Sequence, residues 1–231
     1  MPKVIHHLFT DEAKARRRAK DRIISGFAEV AADERLEDIK IETVLEKAEV
    51  SKSTFDKCFH SIESLFQDTA KKLVQEVFPE VRQTVKPNPD IAILVATKTR
   101  LGIRLMIEVP VLAKIALKIR WPVRDTELKI LKDIKIDVEE GIKQGRFADM
   151  PSSIGVNLVF STLKSALQEI LSATCSPDYE EQAIYQMLVG LGVDAESALK
   201  ISKMPFSELP PLPNNGIAGK VLRLIASDRH N

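Results

Sequence analysis

From Ile62 to Val77 the apolar residues Ile62, Leu65, Phe66, Ala70, Leu73 and Val77 recur at intervals of three and four. That spacing places all of them on one face of a helix more than four turns long. Most of the chain repeats the pattern. Its β-branched residues fall at helical intervals, and no Asn-Gly turn separates two alternating runs, so strand signals are nearly absent. The expected fold class is all-α. With 231 residues and 44% hydrophobic content the chain can bury a core. The longest unbroken apolar run, Ile91 to Ala96, is far short of the ~20 residues that cross a bilayer. The start MPKVIHHLFTDEAK lacks the apolar stretch of a secretory signal. A cytoplasmic protein without a membrane partner is expected.

Punctuation residues divide the chain. A first helix is predicted from Asp11 to about Ala32 with Ile23, Phe27, Val30 and Ala31 inward, and a second of about two turns carries Ile41, Val44, Leu45 and Ala48. Ser51 can cap a third helix that turns Phe55, Cys58 and Phe59 inward, and Ser61 starts the fourth, which the pattern carries up to Pro79. The KPNPD stretch at 86–90 reads as an interdomain joint. Five further helices are predicted at about 90–108, 111–120, 124–144, 152–175 and 177–190, the last opened by Ser176-Pro177. A short one follows in DAESALKIS, capped by Asp194. In PFSELPPLP four prolines rule out a helix and favour extended chain.

Charge is nearly balanced overall, at +1, yet locally uneven. Lys14, Arg16, Arg17, Arg18, Lys20 and Arg22 face a single acid, Asp21, although residues 1–80 hold 14 Lys and Arg against 16 Asp and Glu. The cluster is a patch on one helix, which fits either a solvated helix start or an anion-binding surface. Cys58 and Cys175 lie too far apart for a metal-ligand pair and are too few for a disulfide framework, so each reads as a small core residue.

The second and third helices are joined by about three residues, Ala48-Glu49-Val50, the spacing of a helix-turn-helix in which the second helix enters the major groove. Lys52, Ser53, Thr54 and Lys57 would then face outward, with side chains able to bond phosphates and base edges. The same spacing also describes an ordinary helical corner.

Residues 22–66 resemble the DNA-binding module of the TetR family of transcriptional regulators. The likeness rests on Ile23-Ile24 and Phe27-Ala28, on Ala48, Val50, Ser51, Lys52, Thr54 and Phe55, and on Phe59, Ser61, Glu63, Leu65 and Phe66. It implies an N-terminal helix-turn-helix domain at 1–85 including the connecting fourth helix, a helical effector-binding and dimerisation domain at 90–204, and a Pro-rich tail at 205–231. It also implies DNA contacts from Lys40, Ser51, Lys52, Ser53, Thr54, Lys57 and His60. Several positions depart from the family pattern. Glu49 and Ser53 replace glycines, Asp56 replaces a phosphate-contacting Tyr, and Ile62 replaces a phosphate-contacting Lys. Asp56 would add repulsion beside a polyanion, whereas Lys40, Lys57 and His60 would supply other contacts. Three outcomes stay open: an operator reader with a shifted contact set, a weak binder relying on residues 14–22, and a relative that has lost DNA binding.

The resemblance further implies a palindromic double-stranded operator, a homodimer, and a small hydrophobic effector. Met106, Trp121, Phe147 and Phe160 are the larger apolar residues near predicted helix ends and are the candidate effector contacts, though each also fits plain core packing. Lys98 and Arg104, near the apolar stripe of the fifth helix, fit either a ligand carboxylate or solvent. The stripes of residues 154–171 and 183–191 suit a four-helix dimer interface or a monomer core. Neither a His-Glu-x-x-His pair nor a Gly-rich phosphate loop nor a nucleophile elbow is present, so no enzyme, cofactor or metal is expected.

Overall fold

The computed structural model describes residues 3–85, 88–109, 111, 113, 114, 117, 129–170, 176–205, 209, 211, 212 and 214–228. Among them all regular structure is helical: α1 Lys3–Asp33, α2 Ile41–Ala48, α3 Lys52–Cys58, α4 Ile62–Thr84, α5 Ile91–Glu108, α6 Lys129–Lys143, α7 Ser152–Ile170, α8 Tyr179–Gly190, α9 Ala195–Ser202 and α10 Gly216–Asp228. No described helix is long and apolar enough to cross a membrane. Two compact units result, Met1–Val77 with Pro213–Asn231, and Phe78–Leu212.

In the first unit Ile23, Phe27, Ala28 and Ala31 of α1 are fully buried. Gly26 lets α2 approach, because a Cβ there would stand 3.0 Å from the Ala48 nitrogen and 3.2 Å from its Cβ. With only eight residues, α2 depends on that packing, through buried Val44 and Ala48. Phe55 and Phe59 close the floor under α3 with ring centroids 5.6 Å apart, and Phe27 meets Phe66 of α4 at 4.8 Å. Buried Thr69 satisfies its hydroxyl on the Leu65 carbonyl at 2.8 Å.

Several boundaries differ from the sequence expectation. α1 begins at Lys3, since no helix-stopping residue lies between it and Asp11. α4 runs through Pro79 to Thr84, because an interior proline removes one backbone donor but leaves the rest of the ladder intact. The tail is not extended throughout: beyond its prolines, α10 packs on α1 with Ile217, Ala218 and Val221 buried. Its first turn is capped from α4, where Glu76 Oε2 accepts from the Ile217 and Ala218 N–H groups at 2.7 and 2.9 Å.

The second unit is built around α5, which packs on α6, α7, α8 and α9. Ile91, Val95, Val138, Val159, Ile184 and Leu188 belong to one core cluster. Gly155 permits the α6–α7 approach, since a Cβ would lie 2.5 Å from Val138 Cγ1. Asp90 caps α5 by accepting from the Ala92 N–H at 2.9 Å, and Asp194 caps α9 through the Ser197 N–H at 2.9 Å. The Arg146 guanidinium reaches both capping carboxylates, at 3.1 Å and 3.7 Å. Ser176-Pro177 forms a turn before α8, so the proline stands outside the helix it was expected to open.

Candidate functional site

The corner between α2 and α3 has the backbone that its sequence left in question. Glu49 takes φ 51 and ψ 49, the single left-handed non-glycine residue among those described. The Val50 N–H then reaches back to the Leu45 carbonyl at 3.1 Å and the Glu49 N–H to Glu46 at 3.0 Å, a termination normally made with glycine. Glu49 therefore makes a glycine-type helix termination at the expense of backbone strain.

Ser51 caps α3, its Oγ accepting from the Thr54 N–H at 3.2 Å and lying 3.0 Å from Ser53 Oγ and 2.9 Å from Thr54 Oγ1. The three hydroxyls named as DNA contacts thus form one cluster at the start of the helix. Lys52 is exposed, paired with Asp56 at 3.1 Å and set 4.8 Å over the Phe55 ring. Lys57 and His60 are exposed, and Lys40 is exposed in extended conformation before α2. Ile62, the first residue of α4, is half-buried. Lys40, Lys52, Ser53, Lys57 and His60 all lie on the exposed surface of the same unit.

Beside this corner runs the basic stretch of α1. Residues 12–18 are exposed, and Ala19 after them is buried. A surface groove between α1 and α3 is lined by Glu12, Ala13, Arg16, Arg17, Lys20 and Cys58, and the Cys58 thiol points at the Arg16 carbonyl at 3.8 Å. Lys20 is engaged, 2.6 Å from Asp68 and 5.4 Å over the Phe59 ring.

In the second unit a cavity of about 90 Å³ lies between α5, α6 and α7. Val95, Leu101, Ile130, Ile134, Val159 and Leu163 give it apolar walls, and its polar lining includes Lys98, Asp133 and Asp137. Lys98 Nζ donates to both Asp137 oxygens, at 2.8 and 2.7 Å, so it turns neither to open solvent nor to an unoccupied anion site. The Thr99 hydroxyl is spent on the Val95 carbonyl at 2.8 Å.

Of the residues singled out from sequence for the effector, the three that are described do not line this cavity. Phe147 is buried in the core cluster against Gly141, where a Cβ would stand 2.1 Å from its ring. Met106 and Phe160 are buried but do not line the cavity, and Trp121 lies outside the described residues. Arg104 pairs with Glu180 at 3.2 Å, as does buried Arg100 at 2.7 Å. Residue size picked out large side chains, but the cavity forms where medium-sized aliphatic residues leave space around an ion pair. Lys98, noted from sequence beside the α5 apolar stripe, is the one residue named there that lines the cavity.

No family model matches the sequence, and no curated protein is significantly similar to it. Among solved structures, RolR without ligand matches at a TM-score of 0.69 and 22% identity, over 82% of this chain and 99% of RolR. RolR in complex with resorcinol matches at 0.71 and 23%, over 85% and 98%. TylP, a TetR regulator from Streptomyces fradiae, overlaps more loosely, at 0.49 and 13% identity over 83% of this chain and 99% of its own. Both RolR matches span almost the whole of that chain, the α2–α3 corner and the helical second unit are both in place, and the fold of this protein is that of the TetR family of transcriptional regulators.

Proposed function

We propose that the protein is a ligand-responsive transcriptional repressor that reads a palindromic operator as a homodimer, through α3, and is released by a small hydrophobic effector. The α2–α3 corner carries the reading. It keeps the helix-turn-helix backbone despite a glutamate at the left-handed position, and it leaves Lys52, Ser53 and Lys57 on the outer surface. The apolar cavity beside Lys98 and Asp137 is the effector site in this reading. RolR has been solved with resorcinol, a precedent for a small molecule bound to this fold.

The dimer reading draws on α7 and α8. Val159, Leu163, Ala166, Leu167, Ile184, Met187 and Leu188 are buried in their own unit, but Ile154 and Val189 remain exposed, beside half-buried Leu158 and Ala183. That leftover apolar strip on two long helices fits a self-complementary contact. A cytoplasmic location and the absence of catalysis go with the assignment.

One observation favours a second reading, a dimeric small-molecule-binding protein without specific DNA binding: Asp56 occupies Lys52 on the surface that would meet DNA. The experiment that separates them is recovery of sheared genomic fragments on the purified protein, followed by sequencing. A few fragments sharing a near-palindrome support the regulator. Recovery of none, or of all without preference, leaves the second reading.

A further inference from the structure

Positive charge in the first unit is unevenly neutralised. Lys20 pairs with Asp68, Lys72 with Asp21, Lys47 with Glu29, Lys52 with Asp56, and Arg35 with Glu37 and Asp38. Lys14, Arg16, Arg17, Arg18 and Arg22 have no side-chain partner among the described residues. All five lie within nine consecutive residues of α1, and four precede buried Ala19. Lys14, Arg17, Arg18 and Arg22 follow i, i+3, i+4, i+8 spacing along one side of the helix, and Arg16 and Arg17 border the groove beside α3.

The position of the ridge matters as much as its charge. Arg16 and Arg17 share their groove with Cys58, the last residue of α3, and Lys57 beside it is exposed and likewise unpaired. Arg16 and Arg17 are therefore continuous with the proposed reading surface. The cationic stretch of α1, Lys14 to Arg22, extends about 12 Å at the usual helical rise. At one phosphate per ~1.7 Å of duplex axis, a rigid run of that length can meet phosphates beyond those under a short α3.

We propose that the exposed basic ridge of α1, Lys14, Arg16, Arg17 and Arg18, is a second DNA contact that grips backbone phosphates flanking the bases read by α3. This rests on the DNA-binding reading and adds a division of labour to it. α3 carries a carboxylate at Asp56 and α4 opens on an apolar residue at Ile62, where the family pattern has phosphate contacts, and the ridge supplies the missing grip. Guanidinium groups suit that task, since their planar forks bond phosphate oxygens in pairs. Phosphate contacts position without reading sequence, so the ridge raises affinity for all duplexes alike.

The test compares the full-length protein with R16Q/R17Q/R18Q, using fluorescence anisotropy on a random-sequence duplex across a salt series. The expected result is a salt slope reduced by roughly 0.9 for each cation that engages a phosphate, hence by about two to three in the triple variant. Thermal unfolding should be unchanged, because none of the three side chains is buried or paired. The R16K/R17K/R18K variant should restore most of the slope, which a merely structural role would not produce. If the wild-type protein binds no duplex even at low salt, the DNA-binding reading itself fails. If it binds and the triple variant keeps the full slope, the ridge is a solvated helix face and the inference is overturned. Preferential binding of phosphatidylserine vesicles over the duplex, lost in the triple variant, would overturn it in favour of a membrane surface.

Discussion

On the outward face of α3 the Lys52 ammonium lies 3.1 Å from the Asp56 carboxylate, one helical turn further on. Both side chains are more than half exposed, so the pair contributes only about 0.3–0.5 kcal/mol to stability. Its effect on a polyanion is larger. It occupies one cation and sets a negative charge where phosphates would approach. D56N is expected to tighten duplex binding roughly three- to tenfold at moderate salt and to steepen the salt slope by about one. Anisotropy titration checks this, and unaltered or weaker binding would remove this face of α3 from the DNA interface.

Glu49 stands in a conformation that costs a side-chain-bearing residue about 1–2 kcal/mol. Glycine removes that strain but adds entropy to the unfolded chain, so E49G should stabilise the protein by about 1 kcal/mol or less. For a chain of this size the melting temperature should rise by roughly 2–4 °C per kcal/mol. Scanning calorimetry gives the answer, and a lower melting temperature would mean that the glutamate side chain itself holds the corner.

Glu76 accepts two N–H groups from the first turn of α10. E76A should cost about 1 kcal/mol as a lost helix cap and should speed amide exchange across 216–228. Exchange in α6 and α7, which belong to the other unit, should stay as it was. E76Q keeps an acceptor and should fall between the two proteins. Exchange across α10 that matches the wild-type protein in E76A would show that burial of Ile217 and Val221 suffices to hold the helix.

Asp90 links local geometry to acid stability. Burial pushes its carboxyl up, but hydrogen bonds from Arg146 and from the Ala92 N–H outweigh that effect and hold it below the ordinary carboxylate range. A carboxyl depressed by folding adds stability that is present above the unfolded pKa of about 3.9 and fades as pH falls through the lower folded value. R146Q should therefore be less stable than wild type at neutral pH, with the gap narrowing below roughly pH 4. Urea midpoints at neutral and acid pH measure it. A gap independent of pH would mean that Arg146 acts through packing rather than through its carboxylate partners.

Helical spacing is a local property, and what it governs was readable in advance. The buried faces of α1 to α4, the Ser51 cap and the α5 stripe follow from intervals of three and four and from one hydroxyl. The position of α10 was not readable, because Ile217, Ala218 and Val221 give a short weak stripe whose partner α1 lies about two hundred residues earlier. The cavity was missed for a related reason. Lys98 and Asp137 meet only once α5 and α6 are packed, and no spacing within either helix announces the pair. Glu49 shows the opposite case: the departure from glycine raised the question, and tertiary packing imposed the left-handed backbone regardless.

The first unit takes residues from both ends of the numbering, and α10 covers α1 only after everything from Phe78 to Leu212 has been passed. During synthesis, then, the α2–α3 corner emerges early but lacks the helix that shields the back of α1 until residue 228 has left the ribosome. At ~5–20 residues per second that delay is on the order of ten to thirty seconds. In kinetic terms the first unit is assembled last, and an unfinished chain leaves the apolar back of α1 uncovered.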